Sequence, residues 1–470
     1  MGRLSLQGGL RFERLTDHFP QQQMGPNLFL PTPLVFAEHD GPLKQKDLMP
    51  RFGASYDVFG NGRTAVKFFL GKYVTTFNTV DEWLNYSPAG FSQFVATDNR
   101  GWTDNGDFVA NCNFLDPNPN GECGPGNPFF GKQVSPLTVD PATTQGWNTR
   151  EYSWDLTASV VHEVLPRVSV ELSYIRRTWG NMATTVNRAV TPADFDAFTY
   201  AVPQDPKLPG NGGYTLTFYD IKPGKFGVLD NYRTFADKVG GATDKFNGVD
   251  LTVNARLRDV TIQGGFSTGN RVEDDCGVVK AHPETYIFPF WGGTSAFFTE
   301  SPFVGGFSQW PQAFCHRESS WLTNVKGLAS YTLPKIDVLV SGTFRSLPTA
   351  GNEFPSVATQ SLTAQAVALQ IPGFLTQTSL TRGFGSGQPF TILNIVQPGE
   401  LYGERLKSVD LRFGKILRYA GTKAQVSLDI FNLTNSNTTE KYQLTYGTTY
   451  LNPLQITAAR FFKISAQFDF

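Results

Sequence analysis

Apolar and polar residues alternate strictly along a series of segments in this chain. From Arg460 to Phe470, the apolar Phe462, Ile464, Ala466, Phe468 and Phe470 are separated by Lys463, Ser465, Gln467 and Asp469. Period two marks a strand whose two faces meet different surroundings. The pattern recurs near the N-terminus, where Leu4, Leu6, Gly8, Leu10 and Phe12 oppose Ser5, Gln7, Gly9 and Arg11. Phe52, Ala54, Tyr56 and Val58 likewise oppose Arg51, Gly53, Ser55 and Asp57, and Val168, Val170, Leu172 and Tyr174 oppose Ser169, Glu171 and Ser173. Val426, Leu428 and Ile430 oppose Gln425, Ser427 and Asp429. The charges keep to one face.

These runs come in pairs. Segments 51–58 and 64–74 meet at an Asn-Gly turn, the strongest short-range hairpin signal. Pairs at 151–164 and 167–178, 245–257 and 260–268, 321–333 and 335–346, and 404–418 and 422–433 are each joined by a few residues. Residues 16–47 are expected to form a loop, and long Gly-, Pro-, Asn- and aromatic-rich connections are expected at roughly 75–150, 180–244, 270–320, 347–403 and 434–458. Loops beyond about 15 residues are uncommon in compact soluble domains. An outer-membrane barrel has short turns at one end, long loops at the other and strands of about 9 to 11 residues. The expectation is an all-β, transmembrane antiparallel β-barrel of twelve strands spanning residues 1–470 as one domain, with both chain ends on the periplasmic side. An edge strand of a soluble β-sandwich is the other reading of the final segment.

Composition agrees with half-apolar strands joined by polar loops. The 470 residues include 40 Phe, 16 Tyr and 8 Trp, while charged residues make only 17%, against about 25% in ordinary domains. Mean hydropathy is −0.24, and no apolar run approaches the roughly 18 residues of a membrane helix. A net charge of −1 leaves no basic surplus for a nucleic-acid partner. The N-terminus has no signal-peptide pattern, so the chain is expected to begin inside a longer protein. Cys112, Cys123, Cys276 and Cys315 form two local couples in loop segments. Their even number favours two disulfides, although three connectivities are open.

The alternating C-terminus, Phe462, Ile464, Ala466, Phe468 and Phe470, resembles the signal that outer-membrane barrels present to the barrel-assembly machinery. Together with MPRFGASYDVFGNGRTAVKFFLGKYV at 49–74, KGLASYTLPKIDVLVSGTFRSLP at 326–348 and SLDIFNLTNSNT at 427–438, it resembles the C-terminal part of TonB-dependent outer-membrane receptors, particularly those with an N-terminal carboxypeptidase-regulatory-like domain. The resemblance implies a bacterial cell outer-membrane location, contact with outer-membrane lipid, a barrel of about 22 strands occluded by a plug, and TonB-driven uptake of a bulky nutrient ligand. The chain departs from that pattern. Twelve strands are about half of such a barrel, and neither plug nor TonB box is recognisable, so TonB coupling would run through an N-terminal portion not in this sequence. A passive barrel or surface-binding protein without TonB coupling is the alternative, and a soluble β-rich carbohydrate-binding or hydrolytic protein a third.

Candidate chemistry lies in the long connections. Tyr286, Phe290, Trp291 and Trp310 fall in an aromatic-rich segment bracketed by Cys276 and Cys315, suited to stacking on a ligand or to packing between loops. Asp116, Asn118 and Asn120, followed by Gly121, match the first half of a calcium loop, but Asn127 stands where its bidentate Glu belongs. The acidic run Glu273–Asp275 reads as solvated. Five scattered histidines and no G-x-S-x-G elbow place no nucleophile beside a base, so neither enzyme activity nor a cofactor is expected.

Overall fold

In the computed structural model, residues 2–27, 30–75, 98, 100–126, 130, 138–226, 228, 230–288, 308–348, 365–369, 378–382, 384–385, 390–419 and 422–469 are described. Twelve long strands form one antiparallel meander: β1 Leu4–Phe19, β2 His39–Asp57, β3 Thr64–Val74, β4 Tyr152–Leu165, β5 Val168–Gly180, β6 Thr243–Arg256, β7 Val260–Asp274, β8 Leu322–Leu333, β9 Val338–Pro348, β10 Arg405–Tyr419, β11 Thr422–Phe431 and β12 Phe461–Asp469. Each pairs with its neighbours in sequence. Among the described residues β1 and β12 pair on one side only, so the sheet is an open arc.

The register carries the apolar positions across the sheet in one row. Leu4, Tyr56, Val66, Val160, Leu172, Leu251 and Phe266 stand opposite one another in succession from β1 to β7. Val340, Phe413, Leu428 and Ile464 continue the same face across β9 to β12. This face is exposed, with Ile464 79% accessible. Lys415 interrupts it near a short turn, and its ammonium reaches back to the Ile336 carbonyl at 2.5 Å.

The opposite face is polar and concave. Lys67, Ser159, Ser173, Asp250, Ser267 and Asn324 share one row, and Ser341, Arg412, Asp429 and Lys463 another. Charges there meet in pairs: Arg412 with Asp429 at 2.5 Å, Arg177 with Asp155 at 2.5 Å, Lys67 with Glu171 at 3.5 Å and Arg345 with Asp410 at 3.6 Å.

Short turns all lie at one end. At Val58–Arg63 the Asp57 carboxylate accepts from the amides of Gly60 (2.9 Å) and Gly62 (2.8 Å), both glycines adopting φ of 73°. Cβ-bearing residues resist that left-handed backbone, which explains Gly at both places.

Segment 16–47 corrects the loop expected there. β1 runs on to Phe19 and β2 begins at His39. Period-two alternation persists in β2, where Leu43, Gln45, Asp47 and Met49 are buried and Lys44, Lys46 and Pro50 exposed. Polar residues occupy both faces and two prolines interrupt the run, so hydrophobicity alone did not reveal the strand.

Candidate functional site

The long connections gather at the end opposite the short turns, and they are themselves folded. The β5–β6 connection forms a hairpin of Phe195–Ala201 and Thr215–Ile221, while the β9–β10 connection contains paired strands Gln365–Leu369 and Phe390–Asn394. A third pair, Thr439–Tyr442 and Pro453–Ile456, lies in the β11–β12 connection. Phe198, Phe218, Phe384, Leu393, Ile395 and Tyr450, drawn from all three connections, pack into one buried core. Polar ties reinforce it. Arg382 binds Asp196 at 2.9 Å and Asp220 at 2.6 Å, and Tyr214 donates to the Ile395 carbonyl at 2.6 Å. Apolar burial of this kind gives the connections a core separate from the sheet.

The β3–β4 connection joins the same assembly. Asp140 caps the helix Pro141–Thr144 and receives Thr234 (2.6 Å) and Lys238 (2.7 Å) from the β5–β6 connection. Burial opposes its ionisation, but these hydrogen bonds outweigh it and hold its carboxyl at about 2.

Disulfides join Cys112 to Cys123 and Cys276 to Cys315. The second aligns His316–Glu318 against the end of β7, placing Arg317 opposite Glu273. Arg317 is 1% exposed. It binds Glu273 at 3.3 Å and Asp275 at 3.2 Å, and donates to the Tyr286 hydroxyl and the Phe314 carbonyl. Arg271 extends the network, pairing with Asp244 and with Glu273 at 3.1 Å while stacking 4.6 Å from the Trp179 ring. Burial raises the Asp275 carboxyl, opposed by Arg317. The acidic run Glu273–Asp275 is therefore largely not solvated as its composition suggested. Glu273 and Asp275 are buried because the arginines compensate their desolvation.

Tyr286 lies inside this network. Its side chain is 2% exposed and its hydroxyl donates to Asp275 at 2.8 Å. Trp310 is half-buried, edge-on to Tyr286 at 6.3 Å and to Phe314 at 6.2 Å. Phe290 and Trp291 lie outside the described residues, as do Asn127 and Phe470. In the 112–123 disulfide loop, Asp116 accepts from the amide and carboxamide of Asn118, and the Asn120 carboxamide donates to the carbonyls of Asn113, Asp116 and Asn118. The three are occupied with the loop's own turns. Nearby, Asp104, Asp107 and Glu122 bring one carboxylate oxygen each within 4.8 Å of one another, and Glu122 accepts from Trp102, Asn105 and Asn111.

Glu151, just before β4, lies beyond the apolar row. Burial pushes its carboxyl up to about 7, with Arg233 and Arg271 pulling it down and Asp244 pushing it up. The folded state thus holds this proton more tightly than the unfolded chain, whose reference value is 4.5. Its stabilising contribution is full below that value and is lost as pH rises through about 7. Hydrogen exchange, corrected for intrinsic rate, is expected to show weaker protection at the loop base at about pH 8 than at about pH 6. Equal protection would rule out this titration.

Beneath the folded connections the concave face forms a groove of about 910 Å³, lined by Asp250, Thr252, Gln263, Lys326, Arg345 and Asp410 among others. Both signs of charge are present, so the groove suits polar or hydrated material and selects no single ionic class.

No protein-family model matches the chain, and no curated protein matches it. Solved structures do. The outer membrane transporter YddB from Escherichia coli aligns at 10% identity over 92% of this chain and 42% of its own, with a TM-score of 0.42. The FrpB iron transporter from Neisseria meningitidis aligns at 10% identity over 99% of this chain and 43% of its own, with a TM-score of 0.45. The copper transporter OprC aligns at 10% identity over 99% and 45%, with a TM-score of 0.39. The chain spans less than half the length of each.

Proposed function

We propose that the chain is the C-terminal barrel portion of a TonB-dependent receptor of the bacterial cell outer membrane, taking up a bulky nutrient such as a metal chelate, glycan or peptide fragment. The observation carrying this reading is the two-faced sheet. Across twelve strands the exposed face is apolar, the concave face holds paired charges, and every long connection leaves from one end. In lipid, backbone groups at a sheet edge must be paired. β1 and β12 would therefore meet further strands of a larger closed barrel, with a plug against the polar concave face. The folded connections would capture the ligand outside, and energy would arrive from TonB through the plug.

Sequencing upstream of Met1 in frame tests the TonB part. An open frame encoding a plug and a TonB box is expected; a stop codon close upstream would favour a passive barrel. Phe470 is proposed to serve assembly. Deleting it should reduce the membrane-inserted fraction, read by heat-modifiable mobility, more than Phe344→Ala does, and equal insertion would count against that role.

A further inference from the structure

The upper part of β1 and β2 carries a cationic patch that the transport reading does not use. Arg14, Lys44 and Lys46 all lie on the exposed face, with Arg14 opposite Lys46 and Thr16 opposite Lys44 in the register. They follow directly on the apolar row that ends with Leu10 and Phe12 on β1 and Leu48 on β2. The short strand Gln145–Trp147 runs parallel beside β2 and sets Trp147 next to Lys46. The Trp147 ring lies 5.8 Å from Phe12 and 5.5 Å from the Lys46 ammonium, and is 57% exposed. Arg14, Lys44, Lys46, Gln145, Gly146 and Trp147 line one groove of about 500 Å³.

Among the described residues, none of the three cations forms an ion pair. The nearest acidic groups on this face, Asp40 and Glu38, lie further from the apolar row and are held by His18 at 3.0 Å and 3.2 Å. Asp40 is near enough to feel Lys44. Glu13 and Asp47 point to the opposite face, where both bind Arg150 at 2.6 Å. Three cations and an aromatic ring thus crown an apolar belt on its outer side. In a membrane that level is the headgroup layer, where Trp anchors and where Lys and Arg meet anionic headgroups.

We propose that Arg14, Lys44, Lys46 and Trp147 bind the phosphate-bearing headgroup of an outer-leaflet lipid, whose acyl chains lie along Phe12 and Leu10. This rests on the membrane reading above. The cations supply the charge, and Trp147 with Phe12 covers the junction between headgroup and chain.

The test titrates the detergent-solubilised protein with short-chain phosphatidic acid. Each basic residue near an anionic lipid is worth about fivefold in association, so the triple variant Arg14→Gln, Lys44→Gln, Lys46→Gln should bind roughly a hundredfold more weakly. A control triple at the short-turn end, Arg63→Gln, Arg258→Gln, Lys335→Gln, removes the same charge and should bind as the parent does. Equal affinity of the two triples would overturn the proposal, as would full competition by inorganic phosphate, which would make this a free-anion site. Recovery of the folded chain in buffer without detergent would contradict the membrane reading itself, and this inference with it.

Discussion

Arg317→Met is expected to cost about 3–5 kcal/mol in the local stability of the connection closed by Cys276 and Cys315, because it leaves Asp275 buried without its cation and Glu273 with Arg271 alone. Trypsin cleavage of the connection across a urea series would register the loss as a lowered midpoint, while the sheet's own unfolding stays in place. Adding Glu273→Gln and Asp275→Asn should restore part of the midpoint, since neutral carboxamides cost less to bury than orphaned carboxylates. An unchanged midpoint in the single variant would mean that the arginine is not what holds the loop base together. The disulfide alone would then suffice, and its removal would carry the 2–5 kcal/mol usual for such cross-links.

The second large effect is on the exposed face. Leu172 stands between Val160 and Leu251 in the middle of the apolar row and is exposed. Leu172→Arg should cost about 2–4 kcal/mol of insertion free energy if that face meets lipid near the bilayer midplane. Ser173→Arg, one residue along, faces Asp250 across the concave side and should be tolerated. The contrast between adjacent positions is the informative quantity, read as the inserted fraction of each variant. Equal losses would mean the two faces see the same surroundings.

The twelve long strands were legible because period-two alternation is a local signal and each hairpin carries its own turn chemistry. The far ends of β1 and β2 escaped because these strands continue beyond the apolar row, where Arg14, Lys44 and Lys46 replace hydrophobic residues and only burial distinguishes the faces. The folded connections escaped for a different reason. Their core joins Phe218, Leu393 and Tyr450, residues far apart in sequence, and no periodicity within one segment announces such a contact. Arg317 was invisible for the same cause. It becomes Glu273's partner only after the Cys276–Cys315 link sets the register, although its place two residues after Cys315 was a usable hint. Tyr286 shows the converse, since an aromatic residue in a long loop reads equally well as a ligand platform or as packing, and only its burial beside Asp275 and Arg317 separates the two.

Cysteine substitution along β6 distinguishes a sheet with lipid on one face and water on the other from a sheet wetted on both. The four native cysteines are all in disulfides, so a single introduced thiol gives a clean signal. Membranes carrying Val249→Cys, Leu251→Cys or Val253→Cys should resist a water-soluble maleimide, while Asp250→Cys, Thr252→Cys and Asn254→Cys should react through the concave groove. Reaction at all six positions alike would mean that both faces of the sheet meet water.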